Sequence, residues 1–244
     1  MDKKQRPGHI ARQADAPQPS VRQPSRQAAA PQPSAQQHDA RQFGFVFNQS
    51  RCTGCKTCEM ACCDYHDLAE GTAFRKIREY AGGTWRQDRD GAWEQDVFAF
   101  HLSMSCNHCT NPVCVRFCSS DAIAKDDSGF VHIDGEKCAG CQLCMVACPY
   151  HAPRFDEGAG VVVKCDGCRD RVRDGLAPIC VGACPTRALS FGLYSEISDY
   201  SFMVEKVQDM PDPYITQPNC SIEMSDAARL REGRDGALVN PDEA

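Results

Sequence analysis

The sequence lacks any long apolar run. Its most apolar stretches, such as Phe43 to Phe47 and Val161 to Val163, fall far short of the roughly 20 residues a membrane-spanning helix needs, so no direct membrane span is expected. It also lacks a basic excess, with 27 Lys and Arg against 33 Asp and Glu for a net charge of -6. Residues 1–41 hold seven Lys or Arg against three Asp, a net of +4, which leaves -10 for residues 42–244. An acidic body excludes nucleic acid, whose phosphates demand a basic face. No Gly-rich phosphate loop, nucleophile elbow or His/carboxylate metal set is present. Behind Lys3, Lys4 and Arg6 there is neither an apolar segment nor a pair of arginines, so neither a Sec nor a twin-arginine signal is expected and any export depends on a partner.

What the sequence has in excess is cysteine, 18 in 244 residues. Sixteen fall into four groups. The first is Cys52, Cys55, Cys58 and Cys62; the second Cys106, Cys109, Cys114 and Cys118; the third Cys138, Cys141, Cys144 and Cys148; the fourth Cys165, Cys168, Cys180 and Cys184. Each group closes with a cysteine after a three-residue spacer. A disulfide scaffold gives no reason for such a repeat. Structural zinc uses paired C-x2-C knuckles, in which a third cysteine three positions on is redundant. A C-x2-C-x2-C loop, by contrast, delivers three thiolates to three corners of an iron–sulfur cube, and in two-cluster ferredoxins the fourth iron takes the last cysteine of the other group.

The motifs therefore come in exchanging pairs. Groups two and three are close in sequence and make an inner pair, leaving groups one and four to close around them. This predicts four 4Fe-4S clusters, held by Cys52, Cys55, Cys58 and Cys184; by Cys165, Cys168, Cys180 and Cys62; by Cys106, Cys109, Cys114 and Cys148; and by Cys138, Cys141, Cys144 and Cys118. With every iron given a thiolate, no position is open to substrate, so the protein is expected to move electrons and catalyse nothing itself. Cys63 and Cys220 stay outside the sites. His108 and His151 lie beside clusters without ligating them. Lys164, Arg169, Arg171 and Arg173 around group four read either as tuning a cluster potential, within the range of about -700 to +450 mV that such environments span, or as solvated charge.

The expected fold is α+β: two pseudo-symmetric bacterial-ferredoxin-like β-α-β modules with an inserted β-hairpin and an extended C-terminal arm. Residues 1–41, rich in Pro and Gln, read as a disordered extension. Residues 42–193 form the double ferredoxin-like domain. Its hairpin insertion, about 74–102, has turn signals at Ala81-Gly82-Gly83 and Asp88-Arg89-Asp90-Gly91 and is expected to be packed by Trp85 and Trp93. Residues 194–244, polar with prolines at 211, 213 and 218, read as an arm contacting partner subunits.

The stretches RCTGCKTCEMAC, SCNHC, KCDGC and PICVGACP, with REYAGG in the hairpin, closely resemble the iron–sulfur subunits of anaerobic dimethyl sulfoxide reductases, within the four-cluster electron-transfer subunits of molybdopterin oxidoreductases. The resemblance runs over about residues 43–244. It implies a molybdopterin-containing catalytic partner and a multi-span membrane anchor subunit that oxidises menaquinol. Electrons would pass from the Cys138 cluster through the Cys106 and Cys165 clusters to the Cys52 cluster. Respiratory nitrate reductase subunits carry tryptophan at the position of Cys141 and hold a 3Fe-4S cluster there, so cysteine implies a complete cube. The sequence departs from the family pattern at Ser119, where proline would follow Cys118, and at Cys63. The resemblance further implies a peripheral membrane location, on the outer face through the catalytic partner's twin-arginine signal, with the cytoplasmic face as the alternative. The same relay would also suit a polysulfide, tetrathionate, nitrate or formate enzyme; a zinc-stabilised interaction scaffold is the non-redox rival.

Overall fold

The structure, a computed structural model, describes residues 41–198, 203–207, 210–230 and 236–241. The extension expected over residues 1–41 lies, apart from Arg41, outside the described residues. In chain order the elements are β1 (Phe43–Asn48), α1 (Thr57–Tyr65), β2 (Lys76–Gly82), β3 (Trp85–Gln87), β4 (Trp93–Gln95), β5 (Phe98–Met104), α2 (Val113–Arg116), β6 (Ile123–Lys125), β7 (Val131–Ile133) and α3 (Leu143–Ala147). They continue with β8 (Arg154–Asp156), β9 (Val161–Val163), α4 (Arg169–Arg173), α5 (Ile179–Gly182), β10 (Leu189–Leu193), α6 (Tyr194–Ile197), β11 (Met203–Val204), β12 (Cys220–Glu223), α7 (Asp226–Leu230) and β13 (Gly236–Leu238).

Two modules are nested. The outer one pairs group one with group four: β1 runs antiparallel to β10, Phe45 opposite Phe191, and α1 packs against α5. The inner one pairs groups two and three, with α2 against α3 and the hairpins β6–β7 and β8–β9 following the two groups. The four interior residues of FGFVFN are all buried. Such a run, without polar alternation, suits a strand covered on both faces. Phe43, Phe130 and Phe191 form a mutual cluster of near-parallel rings, 5.2–6.1 Å apart.

Each group's helix begins one residue before its third cysteine: Thr57 before Cys58, Val113 before Cys114, Leu143 before Cys144, Ile179 before Cys180. Groups one and three enter the helix through a left-handed residue, Lys56 (φ 58°) or Gln142 (φ 59°). Groups two and four, with wider gaps, enter through Pro112 or Pro178. A proline there fixes φ and halts any earlier helix.

One expectation changes. Trp85 and Trp93 do not pack the insertion; they are 61% and 64% exposed. The long ladder β2–β5 is buried at its base, but β3–β4 at its tip is a two-stranded ribbon with no second layer, so its side chains meet solvent. The described parts of the segment after Leu193 pair with strands of the domain itself. β12 runs parallel to β1, β11 pairs with β12 and β13 adds to β2. Thr110 and Asn111 donate backbone bonds to the carbonyls of Gln217 and Thr216 (2.7 and 2.9 Å), and fully buried Asn219 donates through Nδ2 to the His108 carbonyl (2.7 Å). These bonds satisfy the main chain of the second cysteine loop, which would otherwise be buried without partners.

Candidate iron–sulfur centres

All eighteen cysteines are free thiols, and thiols of group one lie beside those of group four, thiols of group two beside those of group three. Cys52 has Cys58, Cys184 and Cys55 as its charged neighbours. Cys62 and Cys168 both face Cys180, and Cys165 faces Cys106 of group two as well as Cys62 and Cys180. Cys109 is surrounded by Cys106, Cys148 and Cys114, and Cys144 by Cys138, Cys141 and Cys118. That neighbourhood suits four sets, each of three cysteines from one group and the last cysteine of its partner group. Cys63 and Cys220 belong to none: Cys63 donates to the Thr72 carbonyl (3.5 Å), and Cys220 sits half-buried at the start of β12.

The sets form a row, because each small core of the protein contains cysteines from two neighbouring sets. Cys58 and Cys184 share a core with Cys180. Cys62 and Cys165 share one with Cys106, and Cys114 shares one with Cys144. The order is thus the Cys52 set, the Cys165 set, the Cys106 set and the Cys138 set. Exposure follows the row. Cys55 at one end and Cys141 at the other are exposed, whereas Cys62, Cys165, Cys168 and Cys180 are all buried.

The donor set fits iron–sulfur clusters and little else. The thiols converge, with the Asp166 carboxylate beside Cys168, and their surroundings supply hydrogen-bond donors to sulfur, one of the levers by which a protein stabilises and tunes a cluster. Backbone N–H groups of Val162, Gly167 and Ala188 point at Cys138, Cys165 and Cys184 (3.3–3.4 Å). A hydroxyl two residues on repeats at Cys55 with Thr57 (3.3 Å), Cys118 with Ser120 (3.7 Å) and Cys184 with Thr186 (3.6 Å). The Thr57 hydroxyl lowers the Cys55 pKa. At Cys118 and Cys184 burial pulls upward, yet Ser120, Thr186 and nearby backbone donors bring the net shift down. Burial dominates elsewhere, pushing Cys62, Cys109 and Cys114 up to about 12 and Cys144 and Cys168 up to about 11. Iron bound at those thiols displaces protons, so assembly is favoured by rising pH.

The turn after three of the last cysteines is the same. Asp121 (φ 52°), His151 (φ 51°) and Arg187 (φ 55°), each three residues past its cysteine, are left-handed. Ser119 therefore leaves the turn after Cys118 in the shape its proline-bearing counterparts have. The loops before the second cysteine share a left-handed residue too, Gly54, Gly140 and Gly167 in three groups but His108 (φ 43°) in the second.

His108 is there for its ring. It is buried, and its Nδ1 accepts from Val131 N–H (3.0 Å), which leaves Nε2 to carry the proton toward Cys165 Sγ, 3.9 Å away. Burial first, then Lys164 and Lys125, hold its pKa well below the ordinary value, so the ring is a neutral donor. His151 is exposed. His66, which the sequence did not single out, places Nε2 3.5 Å from Cys168 Sγ.

Of the basic residues around group four, Arg169 pairs with Asp126 (2.9 Å) and Arg171 lies over the Tyr65 ring (5.5 Å). Lys164 instead turns inward and donates to Cys106 Sγ (3.5 Å) in a different group. Arg75, also not singled out from sequence, is buried at the junction of the first two sets. Its Nη atoms donate to Ser103 and Ser105. Burial alone would lower its pKa; the neighbouring Cys180, Cys58, Cys165 and Cys220 reverse this and raise it.

The comparisons with known proteins agree with this geometry. A 4Fe-4S dicluster domain family matches residues 97–194. Over 202 residues, 83% of this chain and 98% of theirs, the sequence is 48% identical to the B subunit of anaerobic dimethyl sulfoxide reductase of Escherichia coli and 47% identical to that of Haemophilus influenzae. The protein belongs to the family of anaerobic dimethyl sulfoxide reductase B subunits. A more distant relative is the thiosulfate reductase electron transfer subunit PhsB of Salmonella typhi, 35% identical over 160 residues, 65% of this chain and 80% of that protein. Like these B subunits, this is an electron-transfer iron–sulfur subunit of a reductase complex, carrying 4Fe-4S clusters and no active site of its own. No helix among the described residues is long and apolar enough to cross a membrane.

Proposed function

We propose that the protein carries electrons singly from a menaquinol-oxidising membrane subunit, through four 4Fe-4S clusters held by the sixteen cysteines of the four sets, to a molybdopterin subunit that reduces dimethyl sulfoxide or a related S- or N-oxide. Each cluster, when bound, takes up and gives back one electron at thiolate-ligated iron. The observation that carries the reading is the row: four thiol sets joined through shared cores, with exposed cysteines at its two ends alone. Electrons enter at the Cys138 set and leave at the Cys52 set. The complex sits on the outer face of the membrane, exported with its catalytic partner. The higher identity to dimethyl sulfoxide reductase subunits than to the thiosulfate reductase subunit favours a sulfoxide as terminal acceptor.

Membranes lacking this protein are expected to lose menaquinol-driven dimethyl sulfoxide reduction while the catalytic subunit still reduces it with a soluble viologen dye. Equal loss of both activities would contradict the relay. The entry end has its own test. Around exposed Cys141, Phe117, Leu143 and Val146 are exposed, Val146 at 84%, and Leu143 and Val146 lie one turn apart on α3. Aspartate at both positions is expected to weaken docking to the membrane subunit at least tenfold, about 1.4 kcal/mol, with iron content unchanged. Binding within twofold of the parent would place the membrane subunit elsewhere.

A further inference from the structure

Two fixed cations are buried in the interior, and each stands where two successive sets meet. Arg75 is 2% exposed and Lys164 is 6% exposed. The guanidinium of Arg75 lies over the Phe45 ring (5.1 Å) and donates to Ser103 O (3.3 Å), Ser103 Oγ (3.1 Å) and Ser105 Oγ (2.8 Å). Its Nε has no partner. Its charged neighbours are Cys58 of the first set, Cys180 and Cys165 of the second, and Cys220. Ser103 in turn places its hydroxyl 3.7 Å from Cys58 Sγ, so serine and arginine together face that sulfur.

Lys164 repeats the arrangement one junction on. It precedes Cys165 of the second set, yet its Nζ donates to Cys106 Sγ of the third (3.5 Å), as well as to the carbonyls of Cys165 (2.8 Å) and Val131. His108 makes the reciprocal bridge, from between Cys106 and Cys109 to Cys165 Sγ. Among the described residues, neither Arg75 nor Lys164 forms an ion pair with a carboxylate. A buried charge without a counter-charge is costly and is not left unpaired in a stable fold. Here the thiolate-ligated sets supply the anion, since burial holds the Cys220 thiol in its neutral form.

We propose that Arg75 and Lys164 are the permanent counter-cations of the relay, Arg75 shared by the Cys52 and Cys165 sets and Lys164 by the Cys165 and Cys106 sets, and that each raises the reduction potential of the two centres it adjoins. An added electron makes a centre more negative, so a fixed positive charge beside it stabilises the reduced form more than the oxidised one. The Cys138 set receives no hydrogen bond from either side chain and serves as internal control.

This inference rests on the ligand sets of the proposed function, and the test separates the two. The assembled complex carrying Arg75→Gln, Lys164→Gln or Arg75→Lys is analysed for iron per chain, then titrated potentiometrically with the reduced clusters followed by EPR. With iron at the parental level, each Gln variant is expected to move two of the four steps to lower potential, by at least tenfold in the reduced-to-oxidised ratio, 59 mV for a one-electron couple. One step is common to both variants, and Arg75→Lys moves its steps less than Arg75→Gln. Iron kept in Arg75→Lys but lost in Arg75→Gln also supports the requirement for charge. Full iron with unmoved potentials in both Gln variants overturns the proposal while leaving the ligand sets standing. Equal loss of iron from both Arg75 variants overturns it as well, because shape and not charge is then what the site needs. A parental iron count that does not match four clusters instead removes the ligand sets themselves.

Discussion

Alanine in place of Cys184 removes the cluster at Cys52, Cys55 and Cys58 and spares the one at Cys165, Cys168 and Cys180, although Cys184 belongs to the latter group in sequence. Its sulfur lies beside Cys52 and Cys58, while Cys62 from α1 faces Cys180 and Cys168 of the other set. The α1–α5 contact is what exchanges the two: each helix holds its group's third cysteine at its own loop and leads its group's last cysteine across to the neighbour's. About four of about sixteen irons are lost, and the EPR signal that disappears is the one lost in Cys55→Ala. Cys62→Ala shows the complement, losing the signal lost in Cys168→Ala. Quinol-driven turnover falls to background in both, since each variant breaks the row. If Cys184→Ala and Cys168→Ala abolish the same signal, the exchange of ligands between groups is wrong.

Withdrawing iron unfolds the protein. Its cores are small and contain cysteine where a domain of this size would ordinarily place aliphatic side chains: Cys114 and Cys144 among Ile123, Val131 and Val162; Cys62, Cys106 and Cys165 around Phe74. Helices α2 to α5 are four or five residues long, too short to persist alone, and no disulfide ties the loops. Metal binding at such sites is folding free energy. Anaerobic protein treated with an iron chelator is therefore expected to lose at least about 5 kcal/mol of stability, some 10–20 °C in Tm, and to lose the β6–β7 and β8–β9 hairpins first, as read by hydrogen exchange. A cooperative melt within a few degrees of the iron-loaded protein would show that the side-chain cores suffice.

The pairing of the cysteine groups was legible from sequence because its chemistry is spelled in the spacing itself: three thiols in one tight loop and a fourth to come from elsewhere. The left-handed glycines and the helix starts follow from the same loops. What stayed hidden depends on distant parts of the sequence. Arg75, in the run Phe74-Arg75-Lys76-Ile77-Arg78, reads as one of three solvated basic residues. Only the close approach of Ser103, Ser105 and Phe45 buries it, and the one local hint is its apolar flank at Phe74. Lys164 was visible as a basic residue beside Cys165, but which sulfur it reaches is decided by how the inner module packs on the outer one. What the segment after Leu193 touches was hidden for a similar reason. Thr216, Gln217 and Asn219 are polar and proline-flanked, as in a free arm, yet they close the main chain of the Cys106 loop. The tryptophans misled in the opposite sense, since aromatic content signals a strand pair but not whether anything covers it.

Iron and acid-labile sulfide per chain, measured on anaerobically purified protein together with EPR of the dithionite-reduced sample, test the central claim most directly. Four complete cubes predict about sixteen of each per chain, a brown protein and no 3Fe-4S signal. Zinc in place of iron would contradict the relay outright, and about fifteen irons with a 3Fe-4S signal would contradict complete ligation at one set, with exposed Cys141 the first position to examine.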